Sequence, residues 1–258
     1  MKVAALYRHP VKSMLGEEIV RARIDEHGVE GDRRRALLDV TTGRIASAKQ
    51  SRLWRQLLIL RATAEGGDVR ITGPDGGELN EDGITALLGR PVRLVGERPD
   101  GSTLLRSVPE QVLADGIEAE VDYTVQDFGK AAAPGSFFDF APLHLLTTAS
   151  LAGAAAVRYR PNLVVDTDGE PFEENAWVGR ELTVGAELRL CLIAASPRCA
   201  VPTLAHGGLP ADPEALRRPA RLNRVEPLPG MGPLPCLGVY AQVLTPGAVE
   251  VGDRVELH

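Results

Sequence analysis

The sequence predicts a mainly β protein with a few short helices, and three observations predict this class. Short apolar runs follow one another through the first hundred residues. Glycine-rich turns separate these runs at intervals of roughly 8–12 residues, a spacing typical of a barrel or a sandwich. Residues 20–25 alternate apolar and charged side chains, which is the period-two pattern of a half-buried strand.

The elements of the first hundred residues follow from the same patterns. Residues 65–68 read Glu-Gly-Gly-Asp between two apolar runs and predict a hairpin turn. A short helix is expected at residues 84–88. The predicted strands of this part are residues 3–7, 20–25, 35–40, 57–62, 69–72 and 92–95.

The second part of the chain begins after a weakly patterned stretch, residues 97–137. We expect the connection between two domains there, the first covering residues 1–96 and the second residues 97–258. Thr148 is a predicted N-cap for a helix at residues 151–157. Further predicted elements are strands at 162–165, 182–184, 188–193, 237–244 and 249–257, a helix starting at Asp212-Pro213, and a stiff proline-rich loop at 226–235, a candidate lid.

The composition excludes several classes of function. A net charge of −6 and an aromatic content of 4% argue against a nucleic-acid partner. The three cysteines, Cys191, Cys199 and Cys236, form no C-x-x-C pair, so neither a disulfide framework nor a zinc site is expected. This cysteine usage fits a reducing cytoplasm. No apolar run reaches about 18 residues, so no membrane partner is expected either.

The segment around Cys199 is the strongest candidate for chemistry. Residues 196–203 read Ser-Pro-Arg-Cys-Ala-Val-Pro-Thr and follow a predicted apolar strand. A thiol at the end of a strand is held in place, and the adjacent guanidinium of Arg198 favours the ionised sulfur. A thiolate suits a thiophilic transition metal. The alternative is that Cys199 is one of the many buried, inert core cysteines.

Two basic segments of the first part are candidates for anion binding. Lys12 and Ser13 form one of them, and Arg33, within the Gly-Asp-Arg-Arg-Arg run of residues 31–35, belongs to the other. An ammonium, a hydroxyl and a guanidinium at loop ends would suit a phosphate or pyrophosphate. The alternative is a solvated charged face, and at most one or two of the three arginines should point into a site.

Arg160 and Asn162 precede another apolar run. At period two they would share one face of a strand. The guanidinium donors of Arg160, with the amide donor and acceptor of Asn162, could recognise a polar heterocycle. The alternative is that both are ordinary residues at a strand edge.

Three further titratable residues allow two interpretations each. His144 lies in an apolar segment, where a core histidine is favoured over a ligand. His206 is either a proton shuttle or a loop residue without a role. Asp139, between two phenylalanines, is either a satisfied turn residue or a perturbed carboxylate in a cleft.

Several catalytic motifs do not occur in the sequence. It contains no P-loop, no G-x-G-x-x-G after a strand, no G-x-S-x-G and no H-E-x-x-H. It also has no cysteine cluster for an iron–sulfur centre. Electrons for a redox reaction would therefore come from a separate electron-donor protein.

Seven short motifs are distributed over nearly the whole chain. They are Pro10-Val11-Lys12-Ser13, Gly31-Asp32-Arg33, Thr148-Ala149-Ser150-Leu151, Arg160-Pro161-Asn162, Trp177 before Leu182-Thr183-Val184-Gly185, Arg198-Cys199, and Pro246-Gly247 before Val251-Gly252-Asp253. In this order they resemble the MOSC family, named after the C-terminal domain of molybdenum cofactor sulfurase. The match is closest to two-part members with an N-terminal β-barrel domain, which include the mitochondrial amidoxime-reducing component and its bacterial relatives.

The resemblance implies a fold, a cofactor and a reacting centre. The fold is an N-terminal β-barrel-like domain followed by a MOSC β-barrel domain, and the cofactor is the molybdenum cofactor (molybdopterin). Cys199 matches the direct molybdenum ligand of the family, and Arg198 lies beside the metal. Asp139 matches an acidic residue near the active site, which makes it a second catalytic candidate. Phe140 and Ala141 replace the hydroxyl residues that neighbour this Asp in the family.

The resemblance also implies which residues hold the rest of the cofactor. Lys12, Ser13 and Arg33 match residues that hold the phosphate end of the pterin. Arg160 and Asn162 match contacts along the pterin.

The implied activity is that of an oxidoreductase that removes oxygen from N-hydroxylated small molecules, with Asp139 or His206 relaying a proton. One alternative is a carrier of molybdenum cofactor or of sulfur without reductase turnover. Another is a cysteine-dependent hydrolase in which Cys199 acts with a histidine, and this alternative predicts no metal.

Overall fold

Strands dominate the structure, a computed structural model that describes residues 1–128 and 135–258. In chain order they are β1 (Lys2–Arg8), β2 (Glu17–Ile19), β3 (Arg21–Asp25), β4 (Gly28–Val29), β5 (Ala36–Asp39), β6 (Arg61–Glu65), β7 (Asp68–Thr72), β8 (Val92–Val95), β9 (Thr103–Ser107), β10 (Tyr123–Asp127), β11 (Leu143–Thr147), β12 (Leu163–Asp166), β13 (Glu181–Val184), β14 (Leu188–Pro197), β15 (Arg224–Val225), β16 (Leu234–Thr245), β17 (Gly247–Glu250) and β18 (Val255–Leu257). The predicted mainly β class is confirmed.

The helices are short and connect strands. They are α1 (Ser51–Trp54), α2 (Glu81–Leu88), α3 (Pro109–Asp115), α4 (Thr148–Leu151) and α5 (Glu214–Leu222), with 3-10 helices at Arg55–Ile59, Ala156–Tyr159, Glu173–Trp177 and Val201–Thr203. Within residues 1–128 and 135–258, no helix has the length and apolar character needed to span a membrane.

The largest sheet contains strands from both ends of the chain. Its order is β18–β13–β14–β16–β11–β12–β1–β2, and β15 pairs with β16 at its side. β1 pairs antiparallel with β12, and in a second sheet β3 pairs antiparallel with β17. Strands from the first 25 residues thus pair directly with strands from the second part of the chain. This pairing carries the loop after β1 to the segments that precede β11 and β12.

Two large hydrophobic cores stabilise the fold, and a smaller cluster contains residues from both parts of the chain. Trp177 belongs to the core around the large sheet, whereas Trp54 belongs to the core formed by the first part of the chain. Ala48 and Leu58 of the first part pack against Val201 of the second in the smaller cluster. The two parts are therefore in direct apolar contact beneath the segment that follows β14.

Several local predictions are confirmed. In β3, Ala22 and Ile24 are buried while Arg21 and Arg23, which alternate with them, are exposed, as the pattern requires. The turn at Gly66 and Gly67 joins β6 to β7, and both glycines have a positive φ. The strands predicted at residues 69–72, 92–95 and 182–184 occur within one residue of these bounds.

Two elements differ from their predictions because local packing decides otherwise. Residues 57–62 were expected to be a strand, but Leu57 and Leu58 are both fully buried in a helical turn. They belong to the 3-10 helix Arg55–Ile59, and β6 begins only at Arg61. The single strand expected at residues 249–257 is interrupted by a turn at Gly252, whose φ is 96°.

The helix expected at residues 151–157 is shorter and starts earlier. Thr147, rather than Thr148, caps it, because the Thr147 hydroxyl accepts a hydrogen bond from the Ser150 N–H at 3.1 Å. The helix ends at Leu151, since Ala152 has a left-handed φ of 47°.

The expected connection at residues 97–137 has more structure than its weak pattern indicates. Its described part contains β9, α3 and β10, and residues 129–134 lie outside the described residues. The division of the chain at residue 96 stays a prediction. The proline-rich segment 226–235 begins as a loop after β15 and ends in β16.

Candidate functional site

One cleft lies where the loops after β1 and β4 meet the segments before β11 and β12 and the end of β14. It is lined by all eight residues that the sequence predicts for the site: Lys12, Ser13, Arg33, Asp139, Arg160, Asn162, Arg198 and Cys199. The pairing of β1 with β12 produces this convergence. The chemical roles of the eight residues stay predictions.

Three of these residues have a backbone conformation that L-amino acids rarely adopt. The φ angle is 65° at Ser13, 49° at Arg33 and 55° at Arg160. They are three of the five non-glycine residues with positive φ in the described part of the chain. Each such conformation costs roughly 1 kcal/mol and persists only where surrounding contacts hold it, which is characteristic of functional sites.

A buried lysine and a carboxylate form one wall of the cleft. Lys12 is 5% exposed; its Nζ donates to the Phe137 carbonyl at 2.9 Å and to Asp139 Oδ1 at 2.6 Å. Lys49 Nζ lies 3.2 Å from the same oxygen. Burial lowers the pKa of Lys12 to about 8, although the charge of Asp139 opposes this shift.

Asp139 is an ionised counter-ion in this arrangement. Burial alone would raise its pKa, but the two lysines outweigh burial and hold the pKa of Asp139 far below its usual range. Of the two interpretations left open by the sequence, the structure therefore supports a perturbed carboxylate in a cleft. An ionised carboxylate between two ammonium groups is not a proton donor at neutral pH.

A second carboxylate, Asp32, holds the opposite wall together. It is fully buried and accepts hydrogen bonds from the His9 N–H, from Arg33 Nη1 and, at 3.0 Å, from Asn162 Nδ2. Arg33 Nη2 also donates to the Arg160 carbonyl at 3.0 Å. Asp32 thus connects the loop after β4 to the segment before β12.

The shared strand face expected for Arg160 and Asn162 is wrong. Arg160 ends the 3-10 helix Ala156–Tyr159 in a left-handed conformation, and β12 begins only at Leu163. The amide of Asn162 is also fully used by the protein. Its Nδ2 faces Asp32 and the Tyr7 carbonyl, and its Oδ1 accepts from the His144 N–H at 3.2 Å and from Arg33 at 3.4 Å. These hydrogen bonds of Asn162 hold the segment before β12 against the loop after β4 and against β11.

Two arginines that line the cleft have a buried guanidinium nitrogen without a hydrogen-bond partner. Arg160 Nη1 donates to the Met14 carbonyl, but its Nη2 is buried without a partner; Arg198 Nε is likewise unpaired. These are two of the three buried arginine nitrogens without a partner among the described residues. Burial and the charge of Arg33 lower the pKa of Arg160 to about 9, so the group is still a cation at neutral pH. Such donors require an acceptor, and an anionic ligand would supply one.

Cys199 lines the same cleft and follows the end of β14 by two residues. It is half-buried and packs against the cluster that joins the two parts of the chain. Among the residues that the structure describes, no three His, Cys, Asp or Glu side chains converge on a metal site. A metal bound by Cys199 would therefore find at most one further ligand of these types among the described residues.

The two histidines singled out from the sequence have different positions. His144 is a buried residue of β11, as expected, but it also lines the cleft. Burial and the charge of Arg198 lower the pKa of His144 well below its usual range, so its ring is neutral and Nε2 can accept from Arg198 Nη1 at 3.3 Å. His206 is buried outside this cleft, and burial lowers its pKa to about 4, which argues against a proton shuttle.

Sequence reasoning missed Lys49 and Arg158 in the cleft. Arg158 donates to the carbonyls of Leu204 and Pro210, at 3.0 and 2.6 Å, and so holds the segment after Cys199 in place. The rarity of lysine could have pointed to Lys49. Only four of the 29 basic residues are lysines, and another of the four is the predicted site residue Lys12. No comparable signal marks Arg158 among the many arginines.

Comparisons with known proteins agree with this architecture. The model of the MOSC N-terminal beta barrel domain matches residues 1–101, and the model of the MOSC domain matches residues 140–256. MOSC domains are associated with binding of the molybdenum cofactor. None of the curated proteins searched matches the chain.

Two solved structures are distantly similar. The YuaD protein from Bacillus subtilis aligns over 100% of this chain and 94% of its own, at 12% identity and a TM-score of 0.42. YiiM from Geobacillus stearothermophilus aligns over 45% of this chain and 54% of its own, at 14% identity and a TM-score of 0.32. The two family matches, in this order along one chain, identify the protein as a member of the MOSC family in its two-part form, with an N-terminal β-barrel domain before the MOSC domain.

Proposed function

We propose that this cleft binds the molybdenum cofactor and that the protein is an oxidoreductase that removes oxygen from N-hydroxylated compounds. The observation that carries the proposal is the convergence of Cys199 with unpaired guanidinium nitrogens in one basic cleft. The described lining residues include six cations and one carboxylate: Lys12, Arg33, Lys49, Arg158, Arg160 and Arg198 against Asp139. In a chain of net charge −6, such a concentration of positive charge favours an anionic ligand.

The residues present fit a phosphorylated cofactor with a soft metal. The ammonium of Lys12, the hydroxyl of Ser13 and the guanidinium of Arg33 would hold the phosphate end. The Ser13 hydroxyl already accepts from the Ala48 N–H at 3.0 Å, so its own hydrogen can point to a phosphate oxygen. The unpaired nitrogens of Arg160 and Arg198 would donate to the rest of the cofactor.

Cys199 would supply the single protein ligand to the metal. The bound cofactor supplies a metal that exchanges two electrons and accepts an oxygen atom. The chain supplies binding, orientation and charge around it. Asp139, held ionised, would keep Lys12 and Lys49 in place.

The proposed partners are a small-molecule substrate and a separate electron-donor protein. The sequence contains three cysteines, and they form no cluster suited to an iron–sulfur centre. Reducing equivalents for each turnover would therefore reach the cleft from outside the chain.

The test is the molybdenum and pterin content of protein produced in a host that makes the cofactor. We expect about one molybdenum per chain, because each chain has one Cys199 and the proposed metal binds there. Cys199→Ser should lose the metal and keep the fold. Cys191→Ser is the matched control, since Cys191 is also half-buried but does not line this cleft.

The outcomes separate the alternatives. Wild-type protein without molybdenum or pterin, or Cys199→Ser with full molybdenum and activity, would contradict the proposal. Bound cofactor without reduction of an amidoxime, supplied with reduced viologen as electron donor, would identify a cofactor carrier instead. A hydrolase would retain its activity without metal and lose it on alkylation of Cys199.

A further inference from the structure

A second cleft opens beside the first, and Cys199 lies on the boundary between them. Cys199, Arg198, Asp139, Lys49 and Tyr240 line both clefts. The second cleft differs in its other walls, which are mostly apolar. These walls are formed by one end of β14, by the ring of Phe140 and by part of the proline-rich segment.

Small and flat side chains shape the floor of this second cleft. Ala194, Ala195 and Pro197 of β14 line it without long side chains that would fill it. Phe140 packs against Tyr240 with ring centroids 5.2 Å apart, which forms an aromatic wall. A flat apolar body fits such a space.

The roof is a self-contained loop, residues 226–232. Glu226 Oε1 accepts from the Gly230 N–H at 2.8 Å and from the Gly232 N–H at 3.3 Å, so the loop is closed on itself. Its apolar residues Pro227, Leu228 and Met231 line the cleft. The loop is anchored at both ends by the pairing of β15 with β16.

The antiparallel pair of β9 and β10 adds one positive charge without a counter-ion among the described residues. Gln126 Oε1 accepts from Lys49 Nζ at 3.2 Å. The Arg106 backbone pairs with Thr124 in the strand ladder, whereas its guanidinium forms no hydrogen bond or ion pair with any other residue that the structure describes. Lys49 is paired with Asp139 at 3.2 Å. The half-buried guanidinium of Arg106 is therefore available for an anionic group.

We propose that the second cleft is the substrate pocket. The loop 226–232 and β14 would enclose an apolar body, and Arg106 would bind a carboxylate carried by it. The substrate class is then a partly apolar carboxylic acid that also bears the N-hydroxylated group presented at Cys199. The reaction at Cys199 rests on the proposed function. The binding of the substrate's apolar part by the cleft and of its carboxylate by Arg106 does not depend on that function.

The test measures binding of two matched probes, naphthoate and naphthamide, to the full chain by calorimetry. We expect the carboxylate to bind about tenfold more tightly than the neutral amide, because a hydrogen-bonded ion pair is added. Arg106→Gln should remove this preference, and Arg106→Lys should keep most of it. Arg93→Gln, an exposed arginine on β8 that lines neither cleft, is the control and should change nothing.

A loop variant tests the apolar part separately. Leu228→Ser should weaken both probes by the same factor and leave their ratio unchanged. Equal binding of the two probes to the wild type, an unchanged preference in Arg106→Gln, or no binding of either probe would overturn the proposal.

Molybdenum content, measured on the same preparations, separates this proposal from the proposed function. Protein without molybdenum that still prefers naphthoate through Arg106 supports the pocket although the proposed function has failed. Molybdenum-loaded protein without the preference overturns the pocket alone.

Discussion

At the residue scale, Lys12 is the group whose charge is most sensitive to pH. Its ammonium is buried beside Asp139, and its pKa of about 8 lies below the value of about 10.4 for an exposed lysine. The amine is therefore protonated at pH 7 and increasingly neutral above pH 8. An anion that binds to the protonated form loses this contact as the pH rises.

This predicts that sulfate binding weakens between pH 7 and pH 9. Sulfate does not titrate in this range, so a change in its affinity with pH reflects the titration of a group on the protein. We expect affinity to fall by about tenfold, the effect of one lost charge-assisted hydrogen bond, and Lys12→Met to bind weakly with little pH dependence. Calorimetric titration measures both. Lys2→Met, at an exposed lysine paired with Asp166, should keep the wild-type profile; a pH-independent wild type would contradict the prediction.

Residue types and motifs identified much of the site in advance, but not what each side chain does. Lys12, Ser13, Arg33 and Cys199 stand in recognisable local patterns. The sequence also predicted Asn162 as a site residue, yet its amide is hydrogen-bonded to Asp32, to the His144 N–H and to other protein groups. Whether a polar side chain is free or satisfied depends on neighbours from other segments, so its own segment does not reveal this.

At the element scale, the short helix α4 is held by a buried carboxylate from elsewhere in the chain. Glu174 is fully buried and accepts from the hydroxyls of Thr147 and Ser150, at 3.0 and 2.6 Å, and from the Gly238 N–H at 3.1 Å. Burial raises the pKa of Glu174, and these hydrogen bonds oppose the shift. The carboxylate joins the end of β11 to β16.

We expect Glu174→Ala to lower the free energy of unfolding by about 3 kcal/mol. The substitution leaves two hydroxyls and one N–H buried without their acceptor. Urea unfolding measures the effect, with an unchanged slope against denaturant. Glu170→Ala is the control at an exposed glutamate and should change stability by less than about 0.5 kcal/mol. Equal effects of the two substitutions would show that the network does not stabilise α4.

At the scale of the whole molecule, the two parts of the chain are interlocked. β1 pairs with β12 and β3 with β17, and a separate apolar cluster brings residues of the two parts into contact. The protein has two tryptophans, one in each core: Trp54 is 3% exposed and Trp177 is 4% exposed. Each tryptophan can report on its own core.

We therefore predict that the two cores unfold together. In Trp54→Phe the remaining tryptophan reports on the large sheet, and in Trp177→Phe it reports on the other core. Within each variant, the urea midpoint by fluorescence should coincide with the midpoint by far-ultraviolet circular dichroism. Because both midpoints come from the same variant, any loss of stability caused by the substitution shifts them equally. Midpoints that differ within one variant would show that the two cores unfold independently.

The sequence alone determined the mainly β class, most of the strands, the hairpin at residues 65–68 and the basic and thiol residues of the site. These features are encoded locally, by period-two alternation, by glycine turns and by chemical type. Only the tertiary structure decided that the loop after β1 meets the segments before β11 and β12, that Lys49 joins the cleft, and that Arg106 faces a second one. Such contacts depend on which distant strands pair and bury their apolar faces together, and no local pattern specifies that choice.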